Sequence, residues 1–156
     1  MTPSPKLHEA AERLAIVLAG HGLQRMTARV LAALLFSEQP SVTMAELADD
    51  LHASAGSISG ALKTLTAVGL AERVPARSSR RDHFRLRPDA WAMLYTGQNE
   101  TIAALLDAAD AGIVATNVSS PARARLTEMR DFYAFLMAEI PAVLERWHAR
   151  RSLGND

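Results

Sequence analysis

The chain has 156 residues, of which 49% are hydrophobic and 22% are charged. This length fits one domain or two small ones, and the hydrophobic share is enough to build a packed core. Cysteine is absent, which excludes disulfides and thiolate metal sites and fits a reducing compartment. The apolar stretch near the N-terminus, residues 14–19, is too short to span a membrane and lacks a signal-peptide cleavage pattern, so we expect a soluble cytoplasmic protein.

The formal net charge is zero, but the charges are unevenly distributed along the chain. Residues 1–51 carry 4 basic and 6 acidic side chains, residues 52–87 carry 7 and 2, and residues 88–156 carry 6 and 9. The three segments therefore have net charges of −2, +5 and −3. A basic segment between acidic flanks is typical of a protein that faces phosphate with one surface, although an ordinary solvated face would have the same composition.

The first two predicted helices follow from the spacing of apolar residues. Residues 6–19 carry apolar side chains at intervals of four and three, and Gly20 and Gly22 end this helix. A second helix is predicted over residues 26–37, where an apolar inner face repeats in the same way, and Pro40 prevents its continuation.

Residues 43–68 carry the pattern of a helix-turn-helix. Thr43 and Glu46 have the spacing of a capping box, in which each side chain accepts a hydrogen bond from the backbone N–H of the other residue. The box begins a short helix over residues 44–51, and Ser54 is a suitable N-cap for a second helix. Two short helices with a tight turn between them, the second with small polar residues at its start, form this motif.

A β-hairpin is predicted after the helix-turn-helix. Gly69 ends the preceding helix, and residues 71–74 and 82–87 alternate as strands do. The segment between these strands, residues 75–81, is the tip of the hairpin, and we refer to it below as the tip. Its basic residues are Arg77, Arg80 and Arg81. A short third strand at residues 41–42 would complete a wing.

Two long helices are predicted after the wing. Residues 89–116 have apolar side chains along one side, and Ser120 followed by Pro121 is typical of a helix N-terminus. The last helix carries a heptad seam, which predicts packing either against a second copy of the chain or against residues 89–116. The seam consists of Leu126, Met129, Tyr133, Leu136, Ile140, Val143 and Trp147. Pro141 removes one backbone hydrogen bond and should kink this helix near Met137.

The second helix of the helix-turn-helix is the expected reader of the DNA major groove. Its apolar stripe is needed in the core, which leaves a face of small and polar residues that allows close approach to DNA. This reading face consists of Ala55, Gly56, Ser57, Ser59, Gly60, Lys63 and Thr64. The tip arginines should contact the flanking backbone or the adjacent minor groove, with Asp82 orienting Arg80 or Arg81 through a surface ion pair.

Two simpler interpretations of these polar residues remain open. Ser54 and Ser57 would serve only to cap the helix, without contacting a base. Arg85 and Arg87 would be charges on the exposed face of a strand, without a partner.

The order and lengths of these segments resemble those of the MarR-type family of bacterial regulators. The helix-turn-helix residues that carry the resemblance are LADDLHAS at 47–54 and SISGALKTL at 57–65, followed by GLAERV at 69–74. The segment RRDHFRLRPDAW at residues 80–91 is more similar to the glycine betaine/choline regulator-like branch. Many MarR-type wings carry an Asp-Arg-Arg tip and then Leu-Thr-x-x-Gly, and this chain departs from both patterns.

The resemblance implies a transcriptional regulator that binds double-stranded DNA as a homodimer, with the first and last helices of both chains packed together. The expected fold is mostly α with a small β-hairpin wing: a winged helix-turn-helix flanked by long dimerisation helices. Residues 1–24 would join the dimer region, residues 25–88 would form the DNA-binding domain, and residues 89–156 would form the C-terminal helical dimerisation region. Two half-sites would then lie one DNA turn apart.

Members of this family commonly bind a small-molecule effector between the DNA-binding and dimer regions. Four aromatic residues are candidates for boxing a quaternary ammonium group by cation–π contact. They are Trp91, Tyr95, Phe132 and Tyr133. The alternative is that they are ordinary core residues, because aromatic residues at helical spacing usually pack inward.

Two other classes of function fit the sequence less well than DNA binding does. An enzyme is not expected, because the 5 histidines are scattered without metal-ligand spacing and no phosphate-binding loop or nucleophile elbow is present. Asp82 and His83 lie beside the serines of the tip, but a hairpin is a poor support for a rigid catalytic site. We expect no cofactor and no metal. A winged-helix module that binds protein instead of DNA is the second alternative, although such modules usually lack a basic reading face.

Overall fold

The computed structural model describes residues 4–76, 79–97 and 99–154. The helices of this part are α1 (Pro5–Gly20), α2 (Arg25–Phe36), α3 (Met44–Leu51), α4 (Ala55–Ala67), α5 (Ala90–Gly97), α6 (Asn99–Ala115) and α7 (Pro121–Leu153). Its strands are β1 (Val42–Thr43), β2 (Ala71–Val74) and β3 (His83–Leu86). The chain divides into two compact units, the first ending at Leu94 and the second beginning at Tyr95.

The core of the first unit is built by α2, α3, α4 and the sheet. Leu31 and Val30 of α2 and Ile58 and Leu65 of α4 are among the largest fully buried side chains. They belong to one apolar cluster that also contains Phe84 of β3. Burial of this stripe of α4 confirms the predicted division of the helix into a core side and an exposed side.

Helix α1 packs on α2 through small residues. Ala15, Ala28 and Ala32 are buried together in a cluster of their own, and their short side chains allow the two helix backbones to approach closely. Ser4 caps α1 by accepting a hydrogen bond from the N–H of Leu7 at 3.3 Å. The first helix therefore packs directly on the helix that precedes the helix-turn-helix.

The three strands form an antiparallel sheet in the order β1-β3-β2. Phe84 lies opposite Val42 on one side and opposite Arg73 on the other, and its ring is buried. The expected third strand is present, one residue later than predicted, as β1. The predicted alternation of β3 is also observed, because Phe84 is buried while the neighbouring Arg85 is exposed.

The predicted capping box begins α3. The hydroxyl of Thr43 accepts from the Glu46 N–H at 3.2 Å, and a Glu46 carboxylate oxygen accepts from the Thr43 N–H at 2.7 Å. The same carboxylate oxygen accepts from the Thr43 hydroxyl at 2.8 Å. These hydrogen bonds hold the pKa of the Glu46 carboxyl below its ordinary value, the backbone N–H of Thr43 having the largest effect.

We expect this capping box to make the stability of the first unit depend on pH. A carboxyl with a lowered pKa in the folded state stabilises the fold fully above its ordinary pKa, and this contribution disappears as the pH falls through the lowered value. Urea denaturation at pH 7 and at pH 3 should therefore show a smaller loss of stability in Glu46→Gln than in the wild type. The control, Glu139→Gln, removes an exposed carboxylate of α7 and should behave like the wild type; an equal loss in all three proteins would contradict the prediction.

Backbone conformations with positive φ mark four helix boundaries in the first unit, the first of them at Gly22 after α1 with φ 100°. His52 has φ 49° and ends α3, Gly69 has φ 79° after α4, and Asp89 has φ 60° directly before α5. A left-handed residue is common just past a helix end, where it satisfies the last free carbonyls. Because Asp89 is left-handed, α5 begins at Ala90 and not at residue 89 as the sequence predicted.

The second unit is formed by α6 and α7, which pack against each other. A Cβ atom on Gly112 of α6 would lie 2.8 Å from a terminal methyl group of Leu126 of α7, which shows how closely the two helices approach. Arg123 of α7 donates from one nitrogen to the carbonyls of Ile113 at 2.9 Å and Thr116 at 3.1 Å. These carbonyls are at the C-terminal end of α6, where a cation satisfies groups that the helix leaves free.

Within the described residues, α5 and α6 together occupy the range predicted for one long helix, and Gln98 between them lies outside those residues. Helix α7 begins as predicted, with Ser120 accepting from the Ala122 N–H at 3.2 Å and Pro121 in the first turn. It continues through Pro141 to Leu153. The kink near Met137 and the domain boundaries at residues 24 and 88 stay predictions. In the part of the chain that the structure describes, no helix has the length and apolar character needed to cross a membrane.

Candidate nucleic-acid interface

The reading face predicted from the sequence lies on α4. All seven of its residues are exposed, whereas Ile58, Ala61 and Leu62 on the other side of the helix are buried. The seven residues are Ala55, Gly56, Ser57, Ser59, Gly60, Lys63 and Thr64. The structure therefore brings this predicted set together on one solvent-facing side of a helix.

The hydroxyl groups at the start of α4 differ in their engagement. Ser54 caps the helix by accepting from the Ser57 N–H at 3.2 Å, and its oxygen lies 2.9 Å from the Ser57 hydroxyl. The Thr64 hydroxyl donates to the Gly60 carbonyl at 3.1 Å. Among the described residues, Ser59 and Lys63 make no hydrogen bond through their side chains. These two side chains are therefore the ones most readily available to an external partner.

Two glycines on the reading face have no internal reason for their small size. A Cβ atom added at Gly56 or Gly60 would meet no heavy atom within 4 Å, and neither residue has a positive φ. Glycine inside a helix costs about 0.5–1 kcal/mol relative to alanine, because it loses more backbone entropy on folding. The fold of the described residues therefore does not account for these two glycines on one exposed face.

Two of the arginines in the basic segment are paired on the sheet. Arg73 lies 3.2 Å from Asp82, and Arg85 lies 2.7 Å from Glu72. The first pair joins β2 to the residue before β3, and the second joins β2 to β3. The register between these two strands therefore determines which side chains can pair. The expectation that Asp82 orients Arg80 or Arg81 was wrong, because the antiparallel pairing places Arg73 within reach of Asp82. The alternative that Arg85 is an unpartnered charge is wrong for the same reason.

The remaining basic residues of this segment face solvent. Arg80 and Arg81 of the tip are exposed, as is Arg87 after β3, and no ion pair between described residues includes them or Lys63. Arg77 lies outside the described residues. Hydrogen bonds from Ser79 to the Ala76 carbonyl at 3.2 Å and from the Arg81 N–H to the Ser79 hydroxyl at 3.0 Å organise the described part of the tip. Among the described basic residues of this segment, those without an ion pair therefore lie on the reading helix and on the wing.

Arg29 links α1, α2 and the turn of the helix-turn-helix, a role that no sequence pattern indicated. Its guanidinium donates to one carboxylate oxygen of Glu12 at 3.1 and 2.9 Å and to the carbonyl of Leu51 at 3.2 Å. Leu51 is the last residue of α3, directly before the left-handed His52. Arg29 therefore fixes the segment that positions the start of the reading helix. No local pattern predicts these contacts, because Glu12 and Leu51 are 17 and 22 residues away from Arg29 in the sequence.

We expect Arg29→Met to destabilise the first unit by about 1–2 kcal/mol, because it leaves a half-buried carboxylate and a carbonyl without their donor. The methionine keeps an apolar stem of similar length, so the loss reports the hydrogen bonds. Urea denaturation of the variant beside Arg13→Met measures it, since Arg13 forms only an exposed pair with Glu9. Equal stability of the two variants would contradict this role.

The four aromatic residues proposed for an effector are all at least partly accessible. Trp91 and Tyr95, on α5, are 45% and 53% exposed, and Phe132 on α7 is 56% exposed. Phe132 meets Tyr133 edge to face, with ring centroids 5.4 Å apart. Partial exposure argues against the simple core interpretation for three of them. That the four form one box stays a prediction.

Asp82 and His83 make different contacts at the base of the wing. Among the described residues, the buried Nε2 atom of His83 has no hydrogen-bond partner, and its Nδ1 atom lies 3.2 Å from the Ser41 hydroxyl. Asp82 is engaged with Arg73. Among the described residues, no group of three or more His, Asp or Glu side chains could hold a metal ion. His83 is therefore part of the base of the wing.

Comparisons with known proteins address the family of this chain. A family model described as MarR family matches residues 21–82, and one described as an MmpR5-like MarR family transcriptional regulator matches residues 89–150. The HTH-type transcriptional regulator MmpR5 of Mycobacterium tuberculosis is 34% identical over 151 residues, which are 96% of this chain and 92% of that protein. The chain belongs to the MarR family of transcriptional regulators.

Solved structures show the fold of this MarR-family chain. A crystal structure described as that of a transcriptional regulator is 34% identical, covers 93% of this chain and 99% of its own, and superimposes with a TM-score of 0.80. The apo form of wild-type MarR from E. coli is 18% identical, covers 92% of this chain and 98% of its own, and has a TM-score of 0.43, which is too weak for any inference. The mostly helical winged fold predicted from the sequence is confirmed.

The narrower resemblance drawn from the wing is not specified by these matches. The model that matches residues 89–150 describes MmpR5-like members of the MarR family and not the glycine betaine/choline regulator-like branch. The wing segment at residues 80–91 therefore supports membership of the family without deciding the branch.

Proposed function

We propose that this MarR-family regulator binds duplex DNA as a homodimer, with α4 in the major groove and the wing on the flanking backbone or in the minor groove. The observation that carries the proposal is the reading face. It is exposed along its length, contains two glycines that the fold does not need, and presents Ser59 and Lys63 without internal partners. Small residues allow a helix to approach base edges, and Lys63 supplies a donor for phosphate or guanine.

The wing supports the same surface with charge. Arg73 and Arg85 are engaged in ion pairs, whereas Arg80 and Arg81 are exposed at the tip. Arginine side chains of this kind bind phosphate, or enter a narrow minor groove where the negative potential is enhanced. Arg77 is included in this proposal from its sequence position in the tip.

Homodimerisation is proposed from apolar side chains that each unit leaves exposed. Ile16 and Val17 of α1 are 70% and 55% exposed, and Val143 and Trp147 of α7 are 49% and 47% exposed. The first five residues of the heptad seam are half-buried, whereas the last two, Val143 and Trp147, are exposed. A seam that ends in exposed valine and tryptophan fits a partner helix from a second copy. We propose effector binding at the four aromatic residues only as a further property of this dimer.

Fluorescence anisotropy with a labelled random-sequence duplex tests this proposal. Wild-type protein should bind at low salt, and its affinity should fall steeply with salt as counterions are released from phosphate. Arg80→Ala/Arg81→Ala should bind more weakly, with a slope of log K against log salt reduced by about 2, one for each lost phosphate contact.

The matched control removes two other exposed arginines. Arg146→Ala/Arg150→Ala changes the net charge equally but alters α7, so its slope should equal that of the wild type. Equal slopes for both double variants would assign the salt effect to overall charge and would contradict the role of the wing. Absence of binding by a folded wild type at low salt would favour a winged-helix module that recognises protein.

A further inference from the structure

The first unit contains a groove that the proposed DNA interface does not use. Its volume is about 650 Å³, and it is bounded by α1, α2, the segment before β1, and α3. Pockets of about 300–1,000 Å³ are the size that drug-sized ligands occupy. The groove lies on residues 5–52, whereas the reading face begins at Ala55 and the wing follows Gly69.

The floor of the groove is apolar. Ala32, Leu47 and Leu51 reach it from the core, and Phe36 and Leu7 line it while remaining partly accessible. Transfer of an apolar ligand surface onto such a floor is favourable by about 25 cal/mol per Å². A ligand of this groove should therefore have an apolar body.

The rim of the groove is strongly acidic. Its carboxylates are Glu12, Glu38, Glu46, Asp49 and Asp50. Among these lining residues, Arg29 carries the fixed positive charge. Its guanidinium donates hydrogen bonds to Glu12 and to the Leu51 carbonyl. No ion pair between described residues includes the other four carboxylates. Four carboxylates beside the apolar floor are therefore without an ion-pair partner among the described residues.

We propose that this groove is a binding site for an organic cation with an apolar body. The apolar body of the ligand would pack on the floor, and the carboxylates of the rim would attract its positive charge. Because most of these carboxylates are exposed, no buried ion pair is required. The low pKa of Glu46 keeps that carboxylate charged down to acidic pH. An anion of the same shape would meet the same floor and a repulsive rim.

Tetraphenylphosphonium and tetraphenylborate test the site directly, because they share four phenyl rings and differ in the sign of their charge. Isothermal titration calorimetry of the full chain without DNA should show binding of the cation at least tenfold tighter than binding of the anion. Equal or tighter binding of the anion overturns the proposal. This test does not depend on DNA binding, so its outcome is separate from that of the proposed function.

Variants then locate the cation. Glu38→Gln/Asp49→Asn/Asp50→Asn keeps the shapes of the side chains and should weaken cation binding about tenfold, since each partly exposed charge contributes modestly. The control, Asp107→Asn/Glu128→Gln/Glu139→Gln, removes three exposed carboxylates from the second unit and should leave the affinity unchanged. An equal effect of both triple variants would show that the overall charge of the protein attracts the cation. That result would overturn the proposal of a site in the groove.

A second pair of variants separates the groove from the aromatic residues, which could also attract a cation. Because the groove is the proposed main site for this cation, Trp91→Ala and Phe132→Ala should each lower the affinity for tetraphenylphosphonium by less than the triple groove variant does. A tenfold loss in either variant, together with no loss in the triple groove variant, would place the cation at the aromatic residues and overturn the proposal.

Discussion

Gly60→Leu should abolish most DNA binding while leaving the fold intact or slightly more stable. The position is exposed, and a side chain there meets nothing within the protein. Leucine is a better helix former than glycine, so we expect the free energy of unfolding to rise by about 0.5–1 kcal/mol. At the DNA surface, however, the same side chain would hold α4 away from the bases.

The expected loss of affinity is about 100-fold. Displacing the helix would weaken contacts at one or two base pairs, each of which is typically worth about 1–3 kcal/mol. Anisotropy with the wild-type binding sequence measures this loss, and urea denaturation measures the stability. A variant that gains stability and loses DNA binding cannot owe its defect to unfolding.

The matched control places the same leucine farther along the same helix. Thr66 is exposed near the C-terminal end of α4 and is not part of the reading face. Recognition helices contact bases mainly through their N-terminal residues, so Thr66→Leu should retain affinity within a few-fold. Equal DNA binding by Gly60→Leu and Thr66→Leu would contradict the assignment of the reading face.

Val143→Glu/Trp147→Glu should convert the proposed dimer into a monomer. These residues are the exposed end of the heptad seam, and a charge placed in an apolar interface costs several kcal/mol unless it finds a partner. Size-exclusion chromatography with light scattering should show about half the mass of the wild type at micromolar concentration. DNA affinity should fall about 100-fold or more, because two linked reading helices bind two half-sites with a large advantage over one.

Ala142→Glu/His148→Glu is the control for this pair. Both residues are exposed, and on a regular helix they point about 120° away from the line through Val143 and Trp147. We expect this variant to keep the mass of the wild type. A dimer that survives in Val143→Glu/Trp147→Glu, with normal DNA affinity, would show that the seam end packs elsewhere.

Local patterns in the sequence were sufficient for the elements that build the DNA interface. The capping box of Thr43 and Glu46, the cap at Ser54 and the turn at Gly69 depend on residues at most three positions apart. Such features need no knowledge of the tertiary fold. The division of α4 into a buried stripe and an exposed reading face followed from the helical period alone.

Features that depend on distant pairs were not predicted from the sequence. Asp82 pairs with Arg73, and not with Arg80 or Arg81 as expected, because strand register brings Asp82 and Arg73 together. The contacts of Arg29 with Glu12 and Leu51 require three helices to be packed. The groove is a property of the same packing, so its charge was visible in the sequence only as an acidic N-terminal segment.

The heptad seam shows a different limit. Its period correctly indicated a long helix with one apolar side, but the two possible partners, a second copy and the helix of residues 89–116, require the same period. In the structure, α7 packs on α6, whereas Val143 and Trp147 at the far end of the seam are exposed. The exposure of these two side chains could not be predicted from the sequence. It is the observation that favours packing of a second copy at this end of the seam.

Selection from a random duplex library tests the central claim most directly. The purified wild-type chain and Gly60→Leu should be carried through the same rounds of selection, and the enriched duplexes should be sequenced. The account predicts that the wild type enriches an inverted repeat whose half-site centres are about 10 base pairs apart, and that Gly60→Leu enriches little. Absence of an enriched sequence with a folded wild type, or enrichment of the same repeat to the same extent by Gly60→Leu, would contradict sequence-specific reading by α4.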